Sequence, residues 1–443
     1  MKRLLFIFSF LSLLVVDGKA QEVEILTLED CLRIGIDNNL SLEGKRKEIQ
    51  KSKYGVSENR SKLLPQITAI AGYNNNFDPP VSVTDGSSYG VPYNITKTLQ
   101  HTANAGLEMQ MPLFNQTLYT SMSMAKVMEE ISRLSYGKAR EDIIMQISKM
   151  YYLGQVTAEQ IVLIKANITR LEELRDITQA FFDNGMSMEV DLKRVNINLE
   201  NLKVQYDNAQ AMMKQQLNML KYIMDYPAER EFVLTPVNTD SITTVALTGL
   251  SENIYELQLS QSQVQLAEKQ KKLISNGYIP SLSLTGSWRY AAYTDKGYHW
   301  FHSGPSNHWF RSYGLGLTLR IPIFDGLDKT YKIKKAMIDI ENSKLAWENA
   351  RKSLQTQYLN AVNDLMNNQR NFKKQKDNYL LAEDVYTVTS DRYREGIASM
   401  TEVLQDEMQM SEAQNNYISA HYNYRVTNLM LLKLTGQIES LVK

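Results

Sequence analysis

Every second residue from Tyr313 to Ile323 is apolar: Tyr313, Leu315, Leu317, Leu319, Ile321 and Ile323 alternate with Gly314, Gly316, Thr318, Arg320 and Pro322. From Ala103 to Leu113 the same alternation sets Leu107, Met109 and Met111 against Glu108, Gln110 and Pro112. Leu282, Leu284, Trp288 and Tyr290 stand against Ser281, Ser283, Thr285 and Arg289, and Ile67, Ala69, Ala71 and Tyr73 form a weaker fourth case. A period of two predicts strands, here over about residues 64–74, 102–113, 280–290 and 312–323, each with one apolar and one polar face.

Elsewhere the period lengthens. No Gly or Pro interrupts the 68 residues from Asp328 to Glu395, enough helix for about 100 Å at 1.5 Å per residue. Ile340, Trp347, Leu354 and Ala361 fall seven apart; after one step of four, Leu365, Phe372, Tyr379, Tyr386 and Tyr393 fall seven apart again. That is a coiled-coil seam with a stutter. Gly396 predicts a turn, and a second helix runs from about Thr401 to Leu434 before Gly436 stops it. A matching long helix spans Gln116–Asn184 and turns at Gly185, with Gly137 and Gly154 expected to bend or break it. In each case a short helix (Asn38–Leu63, Glu252–Asn276) and a medium one (Met186–Tyr226, Ile397–Thr435) together nearly equal the long one. Stacked end to end beside it, they predict a rod of paired helices.

The two sets of elements are copies of one plan. "LLPQITAIAGYN" matches "YIPSLSLTGSWRY", with Pro65 facing Pro280; "LEMQMPLFNQTLYT" matches "LTLRIPIFDGLDKT", with Pro112 facing Pro322. "FFDNGMSMEVDL" matches "RYREGIASMTEVL", with Gly185 facing Gly396 and Asp191 facing Glu402. With Asn38 facing Asn253, four landmarks in one order indicate a duplicated strand–strand–long-helix unit: residues 21–225, an inter-repeat segment 226–251, residues 252–436, and a tail 437–443.

Residues 1–20 carry Lys2 and Arg3, an apolar run from Leu4 to Val16 and a small-residue end at Ala20, the pattern of a secretory signal. Balanced charge (49 basic, 49 acidic) leaves no basic footprint for nucleic acid. The lone Cys31 reads as a small buried residue, so export proceeds without an internal disulfide. There is no phosphate-cradling glycine loop, Cys–His pairing or spaced ligand set, so neither an enzyme nor a cofactor is expected. His299, His302 and His308 offer metal ligands by type, but beside Trp300 and Trp309 they read as loop packing, and no metal site is assigned. The Pro-, Gly- and Ser-rich stretch 75–100 reads as a second external loop.

Four alternating strands in an exported chain point to a membrane. Backbone groups in lipid must all be paired, so a spanning sheet has to close; bacterial barrels need about eight strands or more. Identical chains must then share one barrel, and three would supply twelve strands. Tyr73, Trp288 and Tyr290 fit an aromatic girdle. Glu108, Gln110, Thr318 and Arg320 fall on the polar side and would line the lumen.

The paired strand–Pro–Phe corners (Pro65, Pro112, Pro280, Pro322), the long helices and the "YREGIASMTEVL" turn resemble TolC-type outer-membrane efflux factors over nearly all of the mature chain. That resemblance implies a homotrimer with a twelve-stranded barrel in the outer membrane, continuous with a coiled-coil tunnel in the periplasm. It implies a passive duct for an inner-membrane RND or ABC-type pump, reached through a periplasmic adaptor, in efflux or type I secretion. It also places Gly185 and Gly396 at a tip that closes the duct, where acids of the following helices line the constriction: Asp191 and Glu402 by position. The family often has a second acid three residues on; here Gln405 stands there and Asp406 follows. The competing readings are a barrel-anchored trimeric coiled-coil adhesin and a soluble periplasmic chaperone. Strands divided between both halves of the chain favour the duct.

Overall fold

The structure, a computed structural model, describes residues 24–97, 99–237, 249–294 and 309–442. The expected signal at 1–20 and the histidines 299, 302 and 308 lie outside the described residues. In chain order the first elements are β1 (Glu24–Leu26), α1 (Leu28–Asn38), α2 (Leu40–Ser61), β2 (Gln66–Asn75), β3 (Val81–Asp85), β4 (Tyr93–Lys97), β5 (His101–Phe114) and α3 (Gln116–Asp183). Then come α4 (Glu189–Met224), β6 (Phe232–Leu234), α5 (Tyr255–Ser275), β7 (Ser281–Thr294), β8 (Trp309–Arg320), α6 (Asp328–Arg394) and α7 (Met400–Leu434).

They form two compact units. Unit 1 takes Met1–Leu40, Glu141–Gly249 and Leu359–Lys443; unit 2 takes Ser41–Arg140 and Leu250–Tyr358. Each draws on both repeats, so a repeat is not a compact body. Neither could bury its apolar faces alone.

Unit 2 contains a four-stranded antiparallel sheet in the order β2-β5-β7-β8. β7 runs to Thr294, four residues beyond expectation, whereas β8 ends at Arg320 and leaves Ile321, Pro322 and Ile323 outside the strand. The four proline corners are therefore not equivalent. Pro65 and Pro280 immediately precede their strands and Pro322 follows one, but Pro112 lies within β5. There the β5–β7 register shifts between Pro112 and Phe114: a residue without an N–H is tolerated where the ladder is already broken. The stretch read as a plain external loop holds the hairpin β3–β4.

The long helices follow the seven-residue rows. On α6, Leu354, Ala361, Leu365, Tyr386 and Tyr393 are buried, and Ile340, Trp347, Phe372 and Tyr379 half-buried. The expected break in α3 is absent. A Cβ at Gly137 would stand 2.4 Å from the Tyr255 ring and one at Gly154 2.6 Å from Leu234, so these glycines admit neighbours without interrupting the helix. The opening helix, expected from Asn38, begins as α2 at Leu40; Asn39 separates it from α1 and donates its side-chain amide to Ile223 O at 2.7 Å.

In unit 1, Thr27 and Asp30 cap α1 reciprocally, and Cys31 is fully buried, its thiol pushed up to about 12 by desolvation. The inter-repeat segment contributes β6, paired in parallel with β1.

Candidate functional site

α3 and α6 end on Gly185 and Gly396, both at φ +73°. Gly185 and Met186 N–H groups donate to the Phe182 and Phe181 carbonyls at 2.9 and 2.8 Å. Gly396 and Ile397 donate to those of Tyr393 and Arg392 at the same distances. This closure needs a left-handed residue, which glycine adopts without a Cβ penalty. The turns stand side by side in unit 1: the Phe181 and Tyr393 rings lie 5.6 Å apart, and Tyr393 Oη donates to Thr178 Oγ1 at 3.3 Å.

The acids beyond the turns differ. Asp191 is 15 % exposed, and Arg194 Nη1 reaches its Oδ1 at 3.4 Å and Thr401 Oγ1 at 3.2 Å. This places α4 beside the start of α7. Glu402 is exposed, carries no ion pair among the described residues, and its backbone N–H donates to the cap residue Ser399 at 3.3 Å. Gln405 is exposed and Asp406 half-buried. Unit 1 is acidic by sequence, with 32 Asp and Glu against 23 Lys and Arg, so the neutral total does not describe the surroundings of Glu402.

Sequence reasoning missed a line on α7. In steps of three and four, Val403, Glu407, Met410, Gln414, Tyr417, His421, Tyr424, Asn428, Leu431 and Thr435 are all buried. Every second one is polar. Partners come from α3: Asn167 amide to Gln414 at 2.7 Å, and Glu159 with Tyr417 at 3.0 Å and His421 at 3.5 Å. Arg425 Nε donates to His421 Nε2 at 3.0 Å and Nη1 to Gln155 at 2.9 Å. Burial depresses the Arg425 guanidinium and raises the Tyr417 phenol. The signal was present as a seven-residue polar row, which a search for apolar periodicity passes over.

In unit 2 the register sets Glu108 opposite Thr68 and Ser287, and Gln110 opposite Gln66 and Thr285. Thr318 and Arg320 pair with Ser283 and Ser281. All four predicted residues thus share one polar face, where Arg289 also donates to Glu108. On the other face Ile67, Leu107, Leu315, Leu317 and Leu319 are exposed. Tyr73 lies two residues from the end of β2; Trp288 and Tyr290, expected at a strand end, sit inside the longer β7, in edge contact at 5.3 Å. β2 and β8 each pair on one side only among the described residues. Among the described residues no helix is long and apolar enough to cross a membrane, and no group of three or more His, Cys, Asp or Glu is placed for a metal.

A family model described as outer membrane efflux protein matches residues 34–224 and again 246–437, one match per repeat. The outer membrane protein TolC of Vibrio cholerae is 21 % identical over 396 residues, covering 86 % of this chain and 84 % of that one. A toluene efflux pump outer membrane protein of Pseudomonas putida, TtgC, is 23 % identical over 382 residues, covering 81 % and 75 %. Among solved structures, CusC superposes with a TM-score of 0.77 at 15 % identity over 92 % of this chain and 91 % of that one. VceC from Vibrio cholerae gives 0.73 at 14 %, over 92 % and 96 %.

Proposed function

Because the chain belongs to the outer membrane efflux protein family, we propose that three copies close one twelve-stranded barrel continued by a helical tunnel. The protein resides in the outer membrane of a Gram-negative cell and serves efflux as a channel component. In this reading it is a passive duct: an inner-membrane pump of the RND or ABC type delivers cargo through a periplasmic adaptor, and this chain supplies the exit.

The observation that carries the reading is the sheet of unit 2, with one face apolar and exposed and the outer edges of β2 and β8 unpaired among the described residues. Lipid offers no hydrogen bonds to such edges, so the ladder has to be completed by another chain. Three copies of four strands exceed the minimum for a spanning barrel and leave an aqueous lumen. Glu108, Gln110, Thr318 and Arg320 line it. Helix surfaces support association as well: Val190, Ile197 and Val204 fall seven apart on α4 and are exposed, as are Leu381, Val385 and Val388 on α6. Such rows are seams awaiting a partner helix.

The Gly185 and Gly396 turns form the closing tip, with Asp191, Glu402 and Asp406 as its carboxylates and Gln405 among them. Opening loosens α4 from α7 where Arg194 ties Asp191 to Thr401. Glu402, free and set in an acidic unit, attracts polyvalent cations at the constriction. Two measurements test the duct: mass in detergent and conductance in a planar bilayer. Three chains per particle and long-lived pores are expected; a monomer that stays in buffer without detergent and forms no pores overturns it.

A further inference from the structure

Glu407 lies five residues beyond Glu402 on α7, one position along the buried line between Val403 and Met410. Both neighbours belong to the apolar cluster that unites the four helices at the turns: Leu171 and Leu174 of α3, Val195, Leu199 and Leu202 of α4, and Tyr386 and Tyr393 of α6. Glu407 itself is 5 % exposed, and its Oε1 is fully enclosed without a hydrogen-bond partner among the described residues. A carboxyl with one oxygen so enclosed is tolerated when neutral and costly when charged, because that oxygen meets neither solvent nor a hydrogen-bond donor among the described residues.

The charged and titratable groups of the surrounding helices are engaged elsewhere. From α3 the cation is Arg170, committed to Glu383 of α6 at 2.6 Å and to Asn167 at 2.9 Å. From α6 the titratable neighbour is the buried phenol of Tyr386, itself raised by desolvation first and the Glu407 charge second. α4 offers apolar side chains to the cluster. Desolvation alone lifts the Glu407 carboxyl above its ordinary range.

We propose that Glu407 is the pH-sensing element of the closed tip: neutral, it lets α7 seat against α3, α4 and α6; ionised, it drives α7 out of the cluster toward water. This rests on the duct reading and adds regulation to the same site. The sign follows from linkage. Closure holds the proton, so closure is favoured below the carboxyl's exposed range and weakens as pH rises through the higher range set by burial. No covalent step is involved; one proton leaves to solvent as the seam parts.

The test is single-channel recording of the full chain in planar bilayers from acid to mildly alkaline pH, comparing wild type, Glu407→Gln and, as a surface control, the exposed Glu412→Gln. Wild type and Glu412→Gln should open more as pH rises, by about tenfold for each unit by which closure raises the carboxyl. Glu407→Gln, which keeps shape and cannot ionise, should stay at the acid-like level throughout. Thermal unfolding across the same range controls for misfolding: Glu407→Gln should match wild type in acid and exceed it above neutrality. A Glu407→Gln channel that follows the wild-type pH profile overturns the proposal while leaving the duct intact. A chain that makes no pores at any pH overturns the duct itself.

Discussion

The two turns of unit 1 share a backbone and differ in everything attached to it. Gly185 and Gly396 have the same φ and the same pair of crossed hydrogen bonds at the same distances. Yet the helix after the first begins at Met188 without a side-chain cap, while Ser399 caps the second. Asp191 is tied down by Arg194; Glu402 is free. Glu407 stands buried on α7, and its positional counterpart on α4, Asn196, is exposed. Duplication preserved what only glycine can supply and released the side chains to diverge. The first turn became a fastening, and the second carries the free and buried carboxylates.

That contrast can be broken in graded steps. The largest effect should come from Glu402→Ala, which we expect to raise the trivalent-cation concentration needed for half-block about tenfold or more, as for loss of a charge in a narrow pore. Asp191→Ala should move it little, because Arg194 already offsets that charge; equal effects in bilayer recordings would erase the asymmetry. Next is backbone. Gly185→Val and Gly396→Val should each cost about 2 kcal/mol by thermal unfolding, since a branched residue at positive φ is strained. Nothing within 4 Å meets an added Cβ at either site, so the losses should agree, and a large difference would show that the turns are not one device. Caps come third. Ser399→Ala should lose about 1 kcal/mol, and Met188→Ser should gain a fraction of that by supplying the missing acceptor. Smallest in stability is Arg194→Ala, an exposed pair of little intrinsic worth. It should still lengthen open dwell times, because it removes the α4–α7 tie.

Much of the local structure is legible in the sequence. Strand alternation marked the two faces of the sheet, because a pleat has period two whatever it packs against. The row from Ile340 to Tyr393, including its four-residue step, turns inward along α6, with five of its nine positions buried and four half-buried. The misreadings have specific causes. Gly137 and Gly154 signal flexibility in isolation, but Tyr255 and Leu234 fill the space they leave. Pro112 looked like its partner Pro322, but only a neighbouring strand with a shifted register lets it stay in the ladder. Of the candidate acids, Asp191 and Glu402 were named because the family resemblance places acids in the helices after the turns. Glu407 was not, because in the chain it is one of several Asp and Glu residues on a helix surface.

The amino-acid order alone settled the local geometry of this protein: where strands alternate, where helices run unbroken by proline, and where glycine must turn the chain. Those follow from periodicity and backbone sterics, which act within a few residues. Only the tertiary structure decided which carboxylates are fastened, exposed or buried, and which glycines are packing sites. Those properties are set by neighbours up to hundreds of residues distant, since the energy of a charge depends on what surrounds it in space.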